Sequence, residues 1–324
     1  MQAALSIVAG PRESLEIATI EEPAPASDEA VIAVRATALN FMDTLIIRDR
    51  YQVKPPRPFS PGAECAGEVV AVGRDVTGFK AGDRVCAYVG YGAARERIAV
   101  KASALVPVPE RVSFEQAAAL IVTYGTVLYA FRDRARLSGG ETLVVTGATG
   151  GVGSAAVELG KLLGAHLIAC ANGQAKLAEL RAQGVEEFVD PDSGEVKQAL
   201  RELTGGAGAD VVLDVTGGGL TEELVRGTAW GGRYLVVGFA AGEIPRLPLN
   251  LVMLKSIAVM GIHWSAWALR DPGGHRKNTE WLLAQVAAGR LSPAVDARFP
   301  LHGIKDALAL IEERKVKGKV LLTF

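Results

Sequence analysis

The stretch that most constrains this chain runs from Leu143 to Ala171, LVVTGATGGVGSAAVELGKLLGAHLIACA. A short apolar run ends in the turn Thr146-Gly147-Ala148-Thr149-Gly150-Gly151-Val152-Gly153. An amphipathic helix pattern follows, then a second apolar run from His166 to Ala171. Strand, glycine turn, helix, strand is the unit that holds a dinucleotide pyrophosphate against the amides of a helix N-terminus. Glycine supplies backbone angles that a Cβ forbids. Gly150 and Gly151 leave room for phosphate to reach bare N–H groups, and Gly153 lets the helix lie close to the strand. The spacing is Gly147-x-x-Gly150-x-x-Gly153. Glycines alone would fit an ordinary turn, so the strand before and the helix after carry the assignment.

A site for NAD places Asp or Glu at the end of the second strand, about 20 residues past the glycines, on the ribose 2′-hydroxyl. Here that strand ends Cys170-Ala171-Asn172-Gly173, with no acid. Lys176 opens the next helix pattern. A pocket without a carboxylate and with this lysine is neutral to positive, which favours NADPH over NADH.

The 324 residues suggest two domains, and a hydrophobic content of 49% excludes a disordered chain. A formal net charge of −1 gives no bulk attraction to nucleic acid or to an anionic membrane, so neither is an expected partner. Cys65, Cys86 and Cys170 form no Cys-x-x-Cys pair, and His166, His263, His275 and His302 form no metal-ligand spacing. No metal is expected. The cysteines read as buried small residues in a reducing compartment. There is no signal-peptide pattern at the N-terminus. The uncharged stretch Ala117 to Phe131 falls short of a membrane span. A cytoplasmic protein is expected.

The first third carries short β-type runs, Ala30–Ala36, Ala66–Val72, Arg84–Tyr88 and Arg97–Val100, separated by turns and prolines. Helical periodicity begins near Ser113, a plausible N-cap with Gln116 at the capping-box position. The middle alternates. Strands are expected at Thr142–Thr146, Leu167–Ala171, Glu187–Val189, Val211–Val215, Tyr234–Gly238 and Ile257–Gly261. Helices are expected at Val152–Leu163, Gln174–Gln183, Gly194–Leu203 and Thr221–Thr228. The fold class is α/β, with a doubly wound parallel sheet. The tail from Asn278 shows two helix patterns and a last strand, Lys319–Thr323.

Several blocks, in this order and spacing, resemble a known family along nearly the whole chain. They are Ala38-Leu39-Asn40-Phe41-Met42-Asp43, Pro61-Gly62-Ala63-Glu64-Cys65-Ala66-Gly67, Lys80-Ala81-Gly82-Asp83-Arg84-Val85, Thr126 with the glycine turn, and Gly318-Lys319-Val320. The sequence is similar to the zinc-independent medium-chain dehydrogenase/reductases, in the NADPH:quinone oxidoreductase (zeta-crystallin-like) branch. The resemblance implies a GroES-like β-rich domain over residues 1–120, completed by 262–324, and a Rossmann domain over 121–261. Zinc-dependent relatives carry Cys at the place of Asn40 and His at the place of Ala63. Neither ligand is present, so a tetrahedral catalytic zinc is excluded on donor chemistry. Related quinone reductases often carry Tyr where Leu45 stands and Asp-Tyr where Asp190-Pro191 stands. The short-chain dehydrogenase turn fits the same glycines, but its Tyr-x-x-x-Lys pair is missing.

The resemblance implies hydride transfer from NADPH to a quinone or another small hydrophobic acceptor. Ala148, Gly150, Gly151, Val152 and Gly153 would hold the pyrophosphate, and Asn172 and Lys176 the adenosine end. Thr216 also belongs to the expected cofactor set. Asp43 and Thr126 would lie beside the nicotinamide, with Gly238, Phe239 and Ala240 at its ribose. Ile262, His263 and Trp264 would form a wall near the cleft. Asn40 and Tyr51, with Thr126, are the expected catalytic residues, since an amide and a phenol can donate to a developing oxyanion. Asn40 could instead bond backbone, and Tyr51 could be loop packing. Asp43 and Glu64 read as interior hydrogen-bond anchors rather than bases. Arg314 and Lys319 read as solvated or capping charges, with phosphate contact as the other reading. Reduction of an activated C=C bond is an alternative function. A non-catalytic, NADPH-binding structural or RNA-associated protein is an alternative of another class. A homodimer is expected, through the Ile257–Gly261 edge.

Overall fold

The computed structural model describes residues 1–313 and 316–324. The chain forms two compact units, Met1–Gly125 with Trp267–Phe324, and Thr126–Ala266. In the first, β1 (Gln2–Ser6) and β2 (Leu15–Thr19) pair antiparallel. The long strand β3 (Glu29–Leu39) runs directly into the short helix α1 (Phe41–Ile46). There follow β4 (Glu64–Val72), β5 (Arg84–Tyr88), β6 (Arg97–Lys101), β7 (Leu105–Pro107) and the helix α2 (Phe114–Leu128). The inward residues of β3, among them Ala30, Ile32 and Val34, pack with Cys65, Val69, Val85 and Leu105 in one core.

The second unit is a six-stranded parallel sheet. Its elements are β8 (Thr142–Thr146), α3 (Gly151–Leu162), β9 (His166–Cys170), α4 (Gln174–Ala182), β10 (Glu187–Val189), α5 (Val196–Leu203), β11 (Ala209–Asp214), α6 (Leu220–Gly227), β12 (Thr228–Val236), α7 (Leu249–Leu254) and β13 (Ala258–Gly261). The strand order is β10-β9-β8-β11-β12-β13. Successive connections thus run one way from β8 and then the other, leaving a switch point between β8 and β11. Parallel strands are covered on both faces, which is why they read as unbroken apolar runs: Leu143, Val144, Val145, Val211, Val212 and Leu213 are all fully buried.

The helix α8 (Trp264–Arg270) leads into the tail. There α9 (Pro272–Ala287), β14 (Val295–Pro300), α10 (Ile304–Glu312) and β15 (Lys319–Thr323) complete the first unit. Its large sheet has the order β14-β15-β3-β4-β5-β7, with β6 also on β3. The helix-free expectation between β12 and β13 is corrected by α7, a single turn with no polar N-cap to announce it. The expectation that no segment reaches membrane-span length is corrected too. The helix α2 continues through a wider π-type segment, Tyr129–Ala135, and Phe114–Ala135 is long and apolar enough by length and composition. Most of that helix is buried inside the protein.

Candidate functional site

In the Thr126–Ala266 unit, one cavity opens at the carboxyl ends of β8, β9 and β11. Ala148, Asn172, Lys176 and Thr216 line it together with Pro191 and Leu220. Sequence alone had grouped the first four. Gly147 sits in the left-handed region at φ +59°, and a Cβ there would stand 2.7 Å from Val215 Cγ2. Gly150 caps α3. The first bond of this helix end is donated by Ser154 N–H to the Gly150 carbonyl at 2.8 Å. The N–H groups of Gly151, Val152 and Gly153 therefore precede the helical ladder at the positive end of the helix dipole, with Gly151 and Val152 half-buried and Gly153 buried. This is a cradle suited to a pyrophosphate.

Gly153 has a different reason from the expected one. A Cβ there would lie 2.0 Å from the Gly147 carbonyl oxygen and 2.8 Å from Ala148 Cα. The close approach is between helix and turn. Contact between helix and strands falls on Gly160, where a Cβ would meet Leu143 Cδ2 at 2.8 Å and Leu167 Cδ2 at 2.9 Å.

Beneath the turn lies a residue that the sequence did not single out. Asp214, 2% exposed, accepts bonds from the Thr146 hydroxyl (2.8 Å), the Thr216 and Gly217 N–H groups (2.9 and 3.0 Å), the Thr221 hydroxyl (3.3 Å) and the Tyr234 hydroxyl (2.5 Å). The Thr146 oxygen in turn accepts from Val215 N–H at 2.9 Å. The ends of β8 and β11 are thereby locked across the switch point. Burial, then the Asp214 charge, raises the Tyr234 phenol well above its ordinary range, so it stays a donor. The same two causes push the Cys170 thiol up to about 12. Cys170 at the cavity is thus a neutral thiol and no nucleophile.

A carboxylate approaches the cavity at Asn172. The Asn172 amide donates to Asp192, which the β10–α5 loop delivers. The residues that line the cavity include no acid, as expected from the end of β9; Asp192 stands behind the lining residue Asn172. The acid comes from the next strand's loop, 20 residues beyond the position where a sequence pattern looks for it. Gly238, Phe239 and Ala240 follow β12, and Ile262, His263 and Trp264 follow β13. All six stand at the carboxyl ends of their strands. Ala240 N–H bonds the Val215 carbonyl, and Ile262 N–H the Val236 carbonyl. Thr126 is buried in this unit at the start of its chain segment.

In the other unit, Asn40, Asp43, Glu64 and Lys319 form one buried cluster. Lys319 Nζ lies 2.7 Å from Glu64 Oε1 and 2.5 Å from Asn40 Oδ1. Asn40 Nδ2 donates to Glu64 Oε1 at 2.9 Å, and Val122 N–H donates to Glu64 Oε2 at 2.6 Å. Glu64 is fully buried and Lys319 is 5% exposed, so the reading of Lys319 as a solvated charge is corrected. Asp43 accepts from Asn40 N–H (2.8 Å) and Gly62 N–H (2.9 Å). Burial pushes its carboxyl up to about 6, against those bonds and the Lys319 charge. The Asn40 amide is spent on Glu64 and Lys319, which leaves little of it for a substrate oxygen. Tyr51 is half-buried and packs against the core of Ile46, Phe59 and Leu308. Arg314 lies outside the described residues.

The Asn40 amide, in place of a zinc-ligating thiolate, is bonded to the Glu64–Lys319 ion pair. Among the described residues, no group of three or more His, Cys, Asp or Glu side chains is placed to hold a metal ion.

Comparison with known proteins places this geometry. The zinc-binding dehydrogenase family matches residues 151–275, and the alcohol dehydrogenase GroES-like domain matches residues 26–110. Quinone oxidoreductase-like protein 2 of Rattus norvegicus is 36% identical over 309 residues, 94% of this chain and 88% of that protein. The Escherichia coli quinone oxidoreductase, solved in complex with NADPH, superposes with a TM-score of 0.92 at 27% identity, covering 100% of both chains. The CurK enoyl reductase superposes with a TM-score of 0.89 at 25% identity, covering 99% of both.

Proposed function

From the premise that the chain belongs to the medium-chain dehydrogenase/reductase family, we propose that it is an NADPH-dependent, zinc-independent oxidoreductase that reduces a quinone. The observation that carries this reading is the glycine turn at the start of α3, whose Gly147, Ala148 and Thr149 line a cavity at the strand carboxyl ends. Lys176 in the cavity wall supports NADPH, as does the likeness to an E. coli enzyme solved with that cofactor. When bound, the reduced nicotinamide supplies a hydride equivalent. The chain supplies the rest. Asp214 holds the turn rigid through Thr146 and the Thr216 and Gly217 amides. The α3 amides compensate pyrophosphate charge, and Lys176 adds a positive charge toward the adenosine end. A quinone is electron-poor enough to need few oxyanion donors.

The structural likeness to the CurK enoyl reductase favours a second reading, reduction of an activated C=C bond on the same cofactor. NADPH oxidation followed at 340 nm with 1,4-benzoquinone, 9,10-phenanthrenequinone and a panel of 2-enals separates the two. The quinones are expected to be turned over at least about tenfold faster, in kcat/KM, than any enal. The reverse order assigns C=C reduction, and NADPH binding without turnover of either assigns the non-catalytic class.

The assembly proposed is a homodimer across the β13 edge. That strand is terminal in its sheet. Val259 is 42% exposed, and Met253 and Leu254 on α7 are 71% and 66% exposed. An unpaired apolar edge of this kind is a ready partner for its own copy. Sedimentation is expected at two protomer masses, falling to one for Val259→Lys. A wild-type protein at one protomer mass contradicts the assembly.

A further inference from the structure

We infer that Asp192 is a specificity-determining residue, opposing a 2′-phosphate on the adenosine ribose and keeping the preference between NADPH and NADH narrow. This rests on the nicotinamide-binding reading above. Asn172 stands at the end of β9, where a dinucleotide site reads the ribose 2′ position. It is 19 residues past Gly153. Its amide is held by the Asp192 carboxylate. That carboxylate is placed by its own loop: Asp192 N–H donates to Asp190 Oδ1 at 2.9 Å, and the Ser193 hydroxyl donates to the Asp190 carbonyl at 2.9 Å. Pro191, between the two acids, lines the same cavity as Asn172 and Lys176.

Lys176 thus lines one end of the cavity, and Asp192 stands behind the lining residue Asn172 at the same end. Lys176 attracts a dianionic phosphate. Asp192 repels it, yet can accept a bond from a ribose hydroxyl. Both side chains are exposed, so the opposition is moderate and screened by salt.

The test is fluorescence titration of NADPH and NADH on wild type, Asp192→Asn and Lys176→Ala. Asn keeps the size of the side chain and an accepting oxygen while removing the charge. Asp192→Asn is expected to tighten NADPH about tenfold at low salt, with NADH changed less than about threefold. The gain should shrink at 0.5 M salt, roughly halving in its logarithm, because the interaction lies near the surface. A merely structural role would move both cofactors alike and show no salt dependence. Lys176→Ala should weaken NADPH alone. Equal shifts for both cofactors in Asp192→Asn, or none, would overturn the role of Asp192 while leaving nicotinamide binding intact. Failure of wild type to bind either cofactor would overturn the underlying reading as well.

Discussion

Gly153→Ala is expected to weaken NADPH binding by about 100-fold or more, the loss typical of a binding group displaced by an ångström. The added methyl carbon would sit 2.0 Å from the Gly147 carbonyl oxygen, with the Gly147 carbonyl carbon at 2.6 Å. These are backbone atoms and cannot rotate aside. Either α3 withdraws from the turn or the turn shifts, and both moves carry the Gly151 and Val152 amides away from their common focus. Gly147 has little freedom to yield, because φ +59° and the Val215 side chain already fix it. Overpacking of this kind should also lower stability by about 1–3 kcal/mol. Gly139→Ala is the matched control: its Cβ would meet nothing closer than 3.6 Å. Fluorescence titration of both variants should show loss for the first and wild-type affinity for the second. Equal affinities would mean that the amide cradle does not hold the cofactor.

The second large effect lies in the other unit. Lys319→Met is expected to cost about 3–5 kcal/mol of unfolding free energy, because it strands a buried carboxylate. Glu64 is fully buried, and without the ammonium only the Asn40 amide and Val122 N–H remain to compensate its charge. Adding Glu64→Gln to Lys319→Met should recover most of the loss. A neutral Gln oxygen can still accept from Val122 N–H, and no isolated charge is left behind. Denaturant unfolding of wild type, both single variants and the double closes the cycle. A single-variant cost under about 1 kcal/mol, or a double variant no better than the sum, would show that the pair is not coupled as the geometry requires.

The contrast between these two sites shows what a sequence can and cannot disclose. The glycine turn is local. Its strand, its helix start and its small residues lie within a dozen positions, and β8 (Thr142–Thr146) has the bounds expected from its apolar run. The Glu64–Lys319 pair spans 255 positions and leaves no periodic trace in either segment. Asp214 closes an apolar strand as many solvent-facing aspartates do, and only the crossing of β11 beside β8 buries it. Asp192 is brought to Asn172 by the pairing of β10 with β9. β14 went unpredicted because its residues, VDARFP, alternate between half-buried and exposed and never form an apolar run. α1 lies within and just past the Ala38–Asp43 block and is too short to show a helical period. Its Asn40–Asp43 pairing is a helix-capping contact, with Asp43 accepting from the Asn40 N–H.

The most direct test of the central claim is a crystal of the protein soaked with NADPH. Pyrophosphate oxygens are predicted within about 2.7–3.2 Å of the Gly151, Val152 and Gly153 amide nitrogens, the range of an N–H···O bond. NADPH ordered elsewhere on the protein, with those three amides facing only solvent, would contradict the account.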